Sequence, residues 1–469
     1  MKKALGSAPR IVAGVLAFVV CSIAGSQLLS SHSEVAARNP VPSIVIRPGI
    51  VYAEGAISGP TTTAFCEKKY HIACYEPFQL QRAYNEGPLF DRGIDGQGQT
   101  IIIVDAFGSP TVAHDLGVFD KTFGLPAPPS LTVIQPAGPI PPGNHAGWAG
   151  ETELDVEYSH VMAPDASILL VETPVNENEG KTGFPEIITA EKYVIDHHLG
   201  GVISQSFSAT EQSFASAQQL LSLRGAYIDA ARNHVTVLAA SGDSGAADVG
   251  YDGRTYYTFP VTSWPDSDPL VTGVGGTQLH LNASGAHTSP DTVWNDTYNK
   301  ATNEFIEGDA GPNPLSGGGG LSVIFARPSY QDGVKQVVKQ QRGVPDIAMS
   351  GACDGGVDMY QSFPGQAPGW YVTCGTSEAT PLFAGIVALV DQMAGHPVGL
   401  INPALYSLAA SGASGIVDVT SGKNTVTFTQ NASTVTVKGF AAEPGYDLAS
   451  GVGTVNAANF VPQLARAAG

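Results

Sequence analysis

Short apolar runs alternate with longer amphipathic stretches along the first half of the chain. Four runs have the length and aliphatic content of buried strands, and they span 100–104, 167–171, 202–204 and 235–239. Stretches with helical character lie near 151–162, 185–198 and 214–233. This alternation is typical of a parallel sheet with helices on both faces. The pattern therefore predicts an α/β fold.

The N-terminal residues have the pattern of an export signal. Basic residues precede an apolar run over 11–25, and small residues that a signal peptidase accepts lie near Ala24. An uncleaved membrane anchor is the alternative, because weakly apolar residues continue to Leu29. We expect a secreted, extracellular protein, with a membrane-anchored protein that faces outward as the alternative.

Prolines among Ser, Thr and Gly fill residues 31–63, and no sustained helical or strand period occurs there. Such a composition predicts a tether or a short propeptide. We therefore divide the chain into a signal peptide or anchor over 1–30, this tether over 31–63, and a single large domain over 64–469.

The charge balance narrows the class of partner. The chain has 42 Asp and Glu residues against 23 Lys and Arg residues, which gives a formal net charge of −19. It lacks the basic footprint that a phosphate backbone requires, so no nucleic-acid partner is expected. Well below about pH 5 many of these carboxylates would be protonated, so the acidic excess is compatible with an acid environment.

Four of the five cysteines lie outside the export signal. An even number in an exported chain favours disulfides, and four cysteines allow three pairings. We predict Cys66–Cys74, which closes a short loop, and Cys353–Cys374, which braces the segment that leads to Ser377. Metal binding is the weaker interpretation, because no Cys-x-x-Cys spacing occurs.

Ser377 is a candidate nucleophile because of the elements around it. A strand over 371–374 and a tight turn over 375–377 precede an apolar helix that begins at Pro381, with proline expected in the first turn. Unpaired N–H groups and the helix dipole can stabilise negative charge on an attacked carbonyl at such a place. A serine there can also simply cap the helix, and this alternative stays open.

Glu151 and Asp155 are candidates for the proton acceptor that a nucleophilic serine needs. They lie four residues apart on a predicted helix and so differ in direction by only about 40°. Close carboxyl groups share a proton, which tunes one of them to accept the serine proton. The alternative is a solvated acidic helix face, which Glu153 and Glu157 would extend.

Asp243 lies in a polar glycine turn over 241–245, directly after the predicted strand 235–239. The carboxyl ends of strands are where α/β proteins commonly place active residues. An ordinary turn-forming aspartate is the alternative interpretation.

Together these segments resemble the sedolisins, the serine-carboxyl peptidases related in fold to subtilisin. The segment 375–381 matches their Gly-Thr-Ser-x-x-x-Pro signature, and the resemblance covers most of 75–461. Further matching segments are Tyr75-Glu-Pro77, Gly96-Gln-Gly98, Thr292-Val-Trp-Asn-Asp296 and Arg342-Gly-Val-Pro-Asp346.

The resemblance implies a subtilisin-like fold and a monomeric peptidase that cuts peptides or denatured proteins in acid. Ser377 would be the nucleophile, Glu151 the general base and acid, and Asp155 its orienting partner. Asp243 would lie in the oxyanion hole as a protonated acid. Asp105 and Phe207 differ from the glutamate and tryptophan found in some relatives, which affects the expected hydrogen-bond relay.

The resemblance also implies one structural Ca²⁺ near the C-terminus, held by hard oxygen ligands. Its ligands would be the carboxylates of Asp418 and Asp447 and the backbone carbonyls of Val419, Glu443 and Gly445, with Glu443 in place of the usual glycine. Two plain surface turns are the alternative.

Two other function classes compete with this prediction. One is a catalytically silent, secreted binding or adhesion protein built on a peptidase fold, since a fold does not guarantee its chemistry. The other is a neutral Ser-His-Asp peptidase, which is disfavoured because no histidine lies in a subtilisin-like His-Gly-Thr setting.

Overall fold

The computed structural model describes residues 56–177, 182–250, 252–297 and 314–468. The predicted signal segment 1–30 and most of the predicted tether lie outside these residues. The end of that tether contacts the domain, because Ile57 pairs with Trp370 and Thr61 donates hydrogen bonds to Asp358. The assignment of 1–30 and 31–63 remains a prediction.

The structure contains short strands and longer helices in alternation. The strands in chain order are β1 (Cys74–Tyr75), β2 (Thr100–Ala106), β3 (Leu131–Ile134), β4 (Ser167–Thr173), β5 (Val202–Gln205), β6 (Ala209–Thr210), β7 (Thr236–Ala240), β8 (Ser263–Trp264), β9 (Thr272–Gln278), β10 (Thr292–Val293), β11 (Gly320–Ala326), β12 (Gln341–Val344), β13 (Ile347–Ser350), β14 (Gly356–Gln361), β15 (Gly369–Thr373), β16 (Ile416–Val417), β17 (Val426–Gln430), β18 (Ser433–Val437) and β19 (Thr454–Val455). The α-helices in chain order are α1 (Thr63–Lys69), α2 (Pro77–Ala83), α3 (Gly87–Phe90), α4 (Val112–Phe123), α5 (Ala146–Met162), α6 (Phe184–Asp196), α7 (Ala217–Ser222), α8 (Gly225–Arg232), α9 (Lys335–Val338), α10 (Thr376–Ala394), α11 (Asn402–Ala410) and α12 (Ala457–Ala468).

A sheet of eight strands forms the centre of the domain. Its order is β10-β9-β7-β5-β2-β4-β3, and β13 pairs with β9 on the side of that path. Every pairing is parallel except that between β10 and β9. The carboxyl ends of β2, β5 and β7 therefore lie next to one another at one edge of the sheet.

Both faces of this sheet are covered, as the apolar runs predict. Successive side chains of a strand point to opposite faces, and β2 shows the result. Ile101 and Ile103 pack in a core with α5, α10 and α12, whereas Ile102 and Val104 pack in a second core with α6 and α8. The expectation of a subtilisin-like α/β fold with a single large domain is confirmed.

One predicted helix is wrong as a continuous element. The stretch 214–233 is divided into α7 and α8. Ser216 caps α7 by accepting a hydrogen bond from the Gln219 N–H, and Gly225 begins the second helix. The two short helices turn the chain, so a single helical period does not extend over the segment.

Both predicted disulfides, Cys66–Cys74 and Cys353–Cys374, are present. The second joins the residues that precede β14 to the residue that follows β15, and it thus closes the base of this hairpin. No helix in the described ranges is both long enough and apolar enough to span a membrane.

Candidate active site

Ser377 is the second residue of α10, and β15 leads to it through Cys374 and Gly375. Gly375 caps the helix with a φ of 121°. A Cβ atom at this glycine would lie 2.8 Å from Oδ2 of Asp243. The turn therefore requires glycine both for its left-handed backbone and for the close approach of the aspartate.

Pro381 lies in the second turn of α10, so its expected place in the first turn is wrong. A proline has no N–H, so the carbonyl of Ser377 lacks the donor that a helix normally supplies four residues later. The hydroxyl oxygen of Ser206 lies 3.5 Å from that carbonyl oxygen. The proline thus leaves the backbone of the candidate nucleophile open to a contact from another element.

Glu151 and Asp155 lie on α5 and are fully buried, with 0% of each residue exposed. Glu153 and Glu157 on the same helix are also 0% exposed, so the alternative of a solvated acidic face is wrong. Helix α5 packs against α10, where Gly385 lets the two backbones approach closely. A Cβ atom at Gly385 would lie 2.5 Å from the Cβ of Met162.

The surroundings of Glu151 and Asp155 favour their neutral forms. Burial raises the pKa of both carboxyls well above the usual range, and the charge of Asp105 raises both further. The hydroxyls of Ser377 and Ser206 act in the opposite direction on the pKa of Glu151. Within the described part of the chain, however, neither carboxyl oxygen of Glu151 has a partner that meets both the distance and the angle limits of a hydrogen bond, which we call a partner of full geometry.

Asp105 stands at the carboxyl end of β2 and is a third buried carboxyl in this site. Burial, and to a smaller extent the charge of Glu172, raises its pKa to about 7, while the Thr152 hydroxyl acts against this shift. Asp105 raises the pKa of Glu151 and Asp155 in turn. Three carboxyls that are close together in a dry site cannot all be ionised at low cost.

Ser206 is a member of the site that sequence reasoning did not identify. Its hydroxyl donates to Oδ1 of Asp155 over 2.8 Å, and it also contacts the backbone of Ser377. Ser206 directly follows β5, and a small polar residue after a buried parallel strand is the signal that could have indicated it.

Asp243 is bound to the turn that carries the serine. Its Oδ1 accepts hydrogen bonds from the backbone N–H and from the hydroxyl of Thr376, each over 2.7 Å. The N–H of Gly242 donates in turn to the Thr376 hydroxyl over 3.2 Å. The charge of Asp243 also raises the pKa of Glu151, so the structure brings together all four catalytic candidates.

The two segments predicted to bind Ca²⁺ also lie together. Oδ2 of Asp418 accepts a hydrogen bond from the Gly445 N–H over 2.8 Å, and Oδ2 of Asp447 accepts one from the Glu443 N–H over 3.0 Å. Two carboxylates therefore flank the loop 443–447. Val419 is buried next to Asp418, whereas Glu443 is exposed.

The donors at this loop are carboxylate and carbonyl oxygens, which suit calcium. Across the described ranges no group of three or more His, Cys, Asp or Glu side chains is arranged to hold a metal ion. A site here would thus depend on backbone oxygens for much of its ligand shell.

Comparison with known proteins agrees with this geometry. A model of the subtilase family matches residues 143–404. Kumamolisin from Bacillus sp. (strain MN-32) is 34% identical over 387 residues, which cover 81% of this chain and 62% of kumamolisin. Tripeptidyl-peptidase 1 from Homo sapiens is 28% identical over 358 residues, which cover 73% of this chain and 56% of that protein.

The fold has a match among solved structures. Pseudomonas sedolisin, a serine-carboxyl proteinase solved with two molecules of pseudo-iodotyrostatin, superimposes with a TM-score of 0.67 at 24% identity. The match covers 83% of this chain and 98% of that structure. The chain spans less than two thirds of the length of the two curated relatives named above. The chain belongs to the subtilase family, and its fold is similar to that of Pseudomonas sedolisin.

Proposed function

We propose that this protein is a serine-carboxyl peptidase that hydrolyses peptide bonds in acid through an acyl-enzyme on Ser377. The observation that carries the proposal is the burial of Glu151 and Asp155 beside the Ser377 and Ser206 hydroxyls. In this proposal the carboxyl pair takes the place of the usual imidazole.

In the first half of the reaction, the hydroxyl oxygen of Ser377 attacks the peptide carbonyl carbon while Glu151 accepts the hydroxyl proton. Asp155 shares a proton with Glu151 and is oriented by the Ser206 hydroxyl. The carbonyl oxygen gains negative charge, and a protonated Asp243 donates a hydrogen bond to it. The C–N bond then breaks as Glu151 returns its proton to the leaving amine.

In the second half, water replaces the amine. Glu151 accepts a proton from the water as its oxygen attacks the acyl carbon, and the proton then returns to the oxygen of Ser377 as the ester bond breaks. A carboxyl pair can share a proton only while one of its members is protonated, and Asp243 can donate to the developing oxyanion only as a neutral acid. Activity is therefore expected in acid and lost toward neutral pH.

The test is cleavage of a mixed peptide library by the purified full chain between about pH 3 and about pH 8. Mass spectrometry reports the products, and Ser377→Ala is the matched control. We expect cleavage that is confined to acid and absent in Ser377→Ala. A folded wild-type protein that cuts no peptide at any pH would contradict the proposal and favour a binding protein on the same fold.

We further propose that one structural Ca²⁺ is held at the loop 443–447. Asp418 and Asp447 would supply carboxylates, and the carbonyls of Val419, Glu443 and Gly445 would supply the remaining protein ligands. Such an ion would neutralise the two carboxylates and hold the loop between them. This support rests on Asp418 and Asp447, which both accept hydrogen bonds from that loop.

A chelator tests the calcium proposal. Removal of Ca²⁺ should lower the Tm by several degrees, and the loss should reverse with Ca²⁺ but not with Mg²⁺, which demands a tighter octahedral shell. Asp418→Asn should show the lower Tm without chelator. Equal Tm values with and without Ca²⁺ would refute a bound ion.

We also propose that the protein is exported, because two disulfides are rare in reducing compartments. The measurement is the N-terminal sequence and the location of the protein made by its own host. An intracellular protein with free thiols would refute this.

A further inference from the structure

Glu378 directly follows the candidate nucleophile, at a position that the family signature leaves open. It lies in the first turn of α10 and is 0% exposed. Neither of its carboxyl oxygens has a hydrogen-bond partner of full geometry among the residues that the structure describes. The mechanism proposed above does not use this carboxyl. A buried polar group without a partner is costly, so its place beside Ser377 needs a reason.

A candidate partner of Glu378 is Ser350, the last residue of β13. The Ser350 hydroxyl is also buried and has no partner of full geometry in the described ranges. It lies close enough to lower the pKa of Glu378, although burial raises that pKa well above the usual range. Each group can satisfy the other, because a neutral carboxylic acid and a hydroxyl are both donors and acceptors.

A short path of backbone contacts joins Ser350 to the turn over 375–377, which carries Ser377. Gly351 follows Ser350, and its carbonyl accepts a hydrogen bond of 2.8 Å from the Gly375 N–H. The two turns are in close contact, since a Cβ atom at Gly351 would lie 2.8 Å from the Gly375 carbonyl oxygen. Gly375 is the cap of the helix that presents Ser377. A shift of Ser350 would therefore reach the nucleophile through a single hydrogen bond.

The described charges around Glu378 would not stabilise its ionised form. Tyr84 and Tyr158 are ionisable side chains that interact with Glu378, and burial raises the pKa of both tyrosines well above the usual range. The Ser350 N–H donates to the Tyr84 hydroxyl over 2.7 Å. Glu378 takes part in none of the ion pairs of the described chain. The Ser350 hydroxyl and the N-terminal end of the helix dipole favour its carboxylate.

We propose that Glu378 is a positioning residue for Ser377: as a neutral acid it bonds the Ser350 hydroxyl and holds the 350–351 turn against Gly375. When Glu378 ionises, the buried carboxylate draws in water and the turn separates from Gly375. The serine then loses its fixed place although every group that touches the substrate is intact. The kinetic part of this inference rests on the proposed peptidase function, whereas its structural part does not.

The structural part is tested by amide hydrogen exchange in the full chain carrying Ser377→Ala, which prevents self-digestion. Protection of the Gly375 amide is measured at intervals from about pH 4 to about pH 9, relative to the amides of β2. We expect protection to fall at least about tenfold between these pH values. With Glu378→Gln, which stays neutral, the fall should be much smaller.

Glu191→Gln is the matched control, because Glu191 on α6 is also 0% exposed and has no partner of full geometry in the described chain. Glu191 belongs to the core on the other face of the sheet, with α6. Its variant should keep the pH-dependent loss of protection at Gly375. An equal change in Glu191→Gln and Glu378→Gln would overturn the proposal, because it would reveal a general effect of buried acids.

The kinetic part uses kcat on a cleaved peptide as a function of pH. Glu378→Gln should make the loss of kcat at high pH less steep, because the proposed catalytic carboxyls still ionise there, with KM nearly unchanged. Ser350→Ala, which removes the partner, should lower kcat at every pH. A Glu378→Gln profile identical to wild type would overturn the inference. If the wild type cuts no peptide, the proposed function fails, while the exchange experiment still decides the role of Glu378.

Discussion

Glu151 and Asp155 lie on the face of α5 that meets the start of α10, whereas Glu153 and Glu157 lie on the face toward α4 and β14. All four are fully buried, and burial is the largest cause that raises the pKa of each. The neighbours of the two pairs differ. The first pair meets the hydroxyls of Ser206 and Ser377.

The second pair, Glu153 and Glu157, has different neighbours. Glu157 accepts the Tyr360 N–H at 3.3 Å, and Glu153 interacts with Ser109 and Asp115. A raised pKa therefore does not by itself mark a catalytic carboxyl in this molecule. What distinguishes the first pair is the hydroxyl of the candidate nucleophile, Ser377, within its reach.

The largest expected effect is on kcat, where the two pairs of carboxyls should differ. Glu151→Gln should lower kcat by on the order of 10³-fold at the acid optimum, because an amide cannot accept the serine proton. Glu157→Gln should change kcat by less than about tenfold, since its amide oxygen can still accept the Tyr360 N–H. Both variants are measured with the same peptide, and circular dichroism confirms that each is folded.

Equal losses of kcat in the two folded variants would show that α5 acts only as a scaffold. In that case Glu151 would have no special role, and the assignment of the general base would have to change.

A smaller effect is expected on stability, through the pH dependence of the free energy of unfolding. Burial raises the pKa of Asp105, Asp358 and Asp391 to about 7, so the folded state binds more protons than the unfolded chain. For a raised pKa, the stabilising contribution is full below the unfolded pKa near 4 and is lost as the pH rises through the folded pKa. The free energy of unfolding should therefore fall between about pH 4 and about pH 7.

Urea unfolding of the Ser377→Ala protein measures this dependence without self-digestion. Glu153→Gln should make the fall less steep while leaving catalysis nearly intact in an otherwise wild-type chain, because it removes one buried acid from the non-catalytic face. A free energy of unfolding that is constant or rises over this pH range would contradict the account of the buried carboxyls.

Four of the eight strands of the central sheet can be predicted from the sequence. The aliphatic runs marked β2, β4, β5 and β7 to within a few residues, because a strand buried on both faces leaves an unbroken apolar signal. The stretch 214–233 was misread as one helix, since its break depends on the cap at Ser216 and on Gly225. Pro381 was placed one turn too early, because the helix begins at Thr376 and not at the proline.

Ser206 and Glu378 are residues of the site whose roles could not be predicted from the sequence. Neither has a sequence neighbour that reveals its role, because the partners are distant in the chain. Ser206, after β5, donates to Asp155 on α5, and Glu378 on α10 interacts with Ser350 at the end of β13. Their positions depend on which strand ends lie next to each other in the sheet.

The sequence by itself determined the α/β class and the family, because apolar periodicity and a short signature are local properties of a chain. Only the tertiary structure decided which of the acidic residues on α5 meet a nucleophile and which meet the backbone. All of them are the same kind of side chain with the same spacing. Their pKa values and partners come from burial and from contacts between distant segments, and these exist only once the sheet has brought its strand ends together.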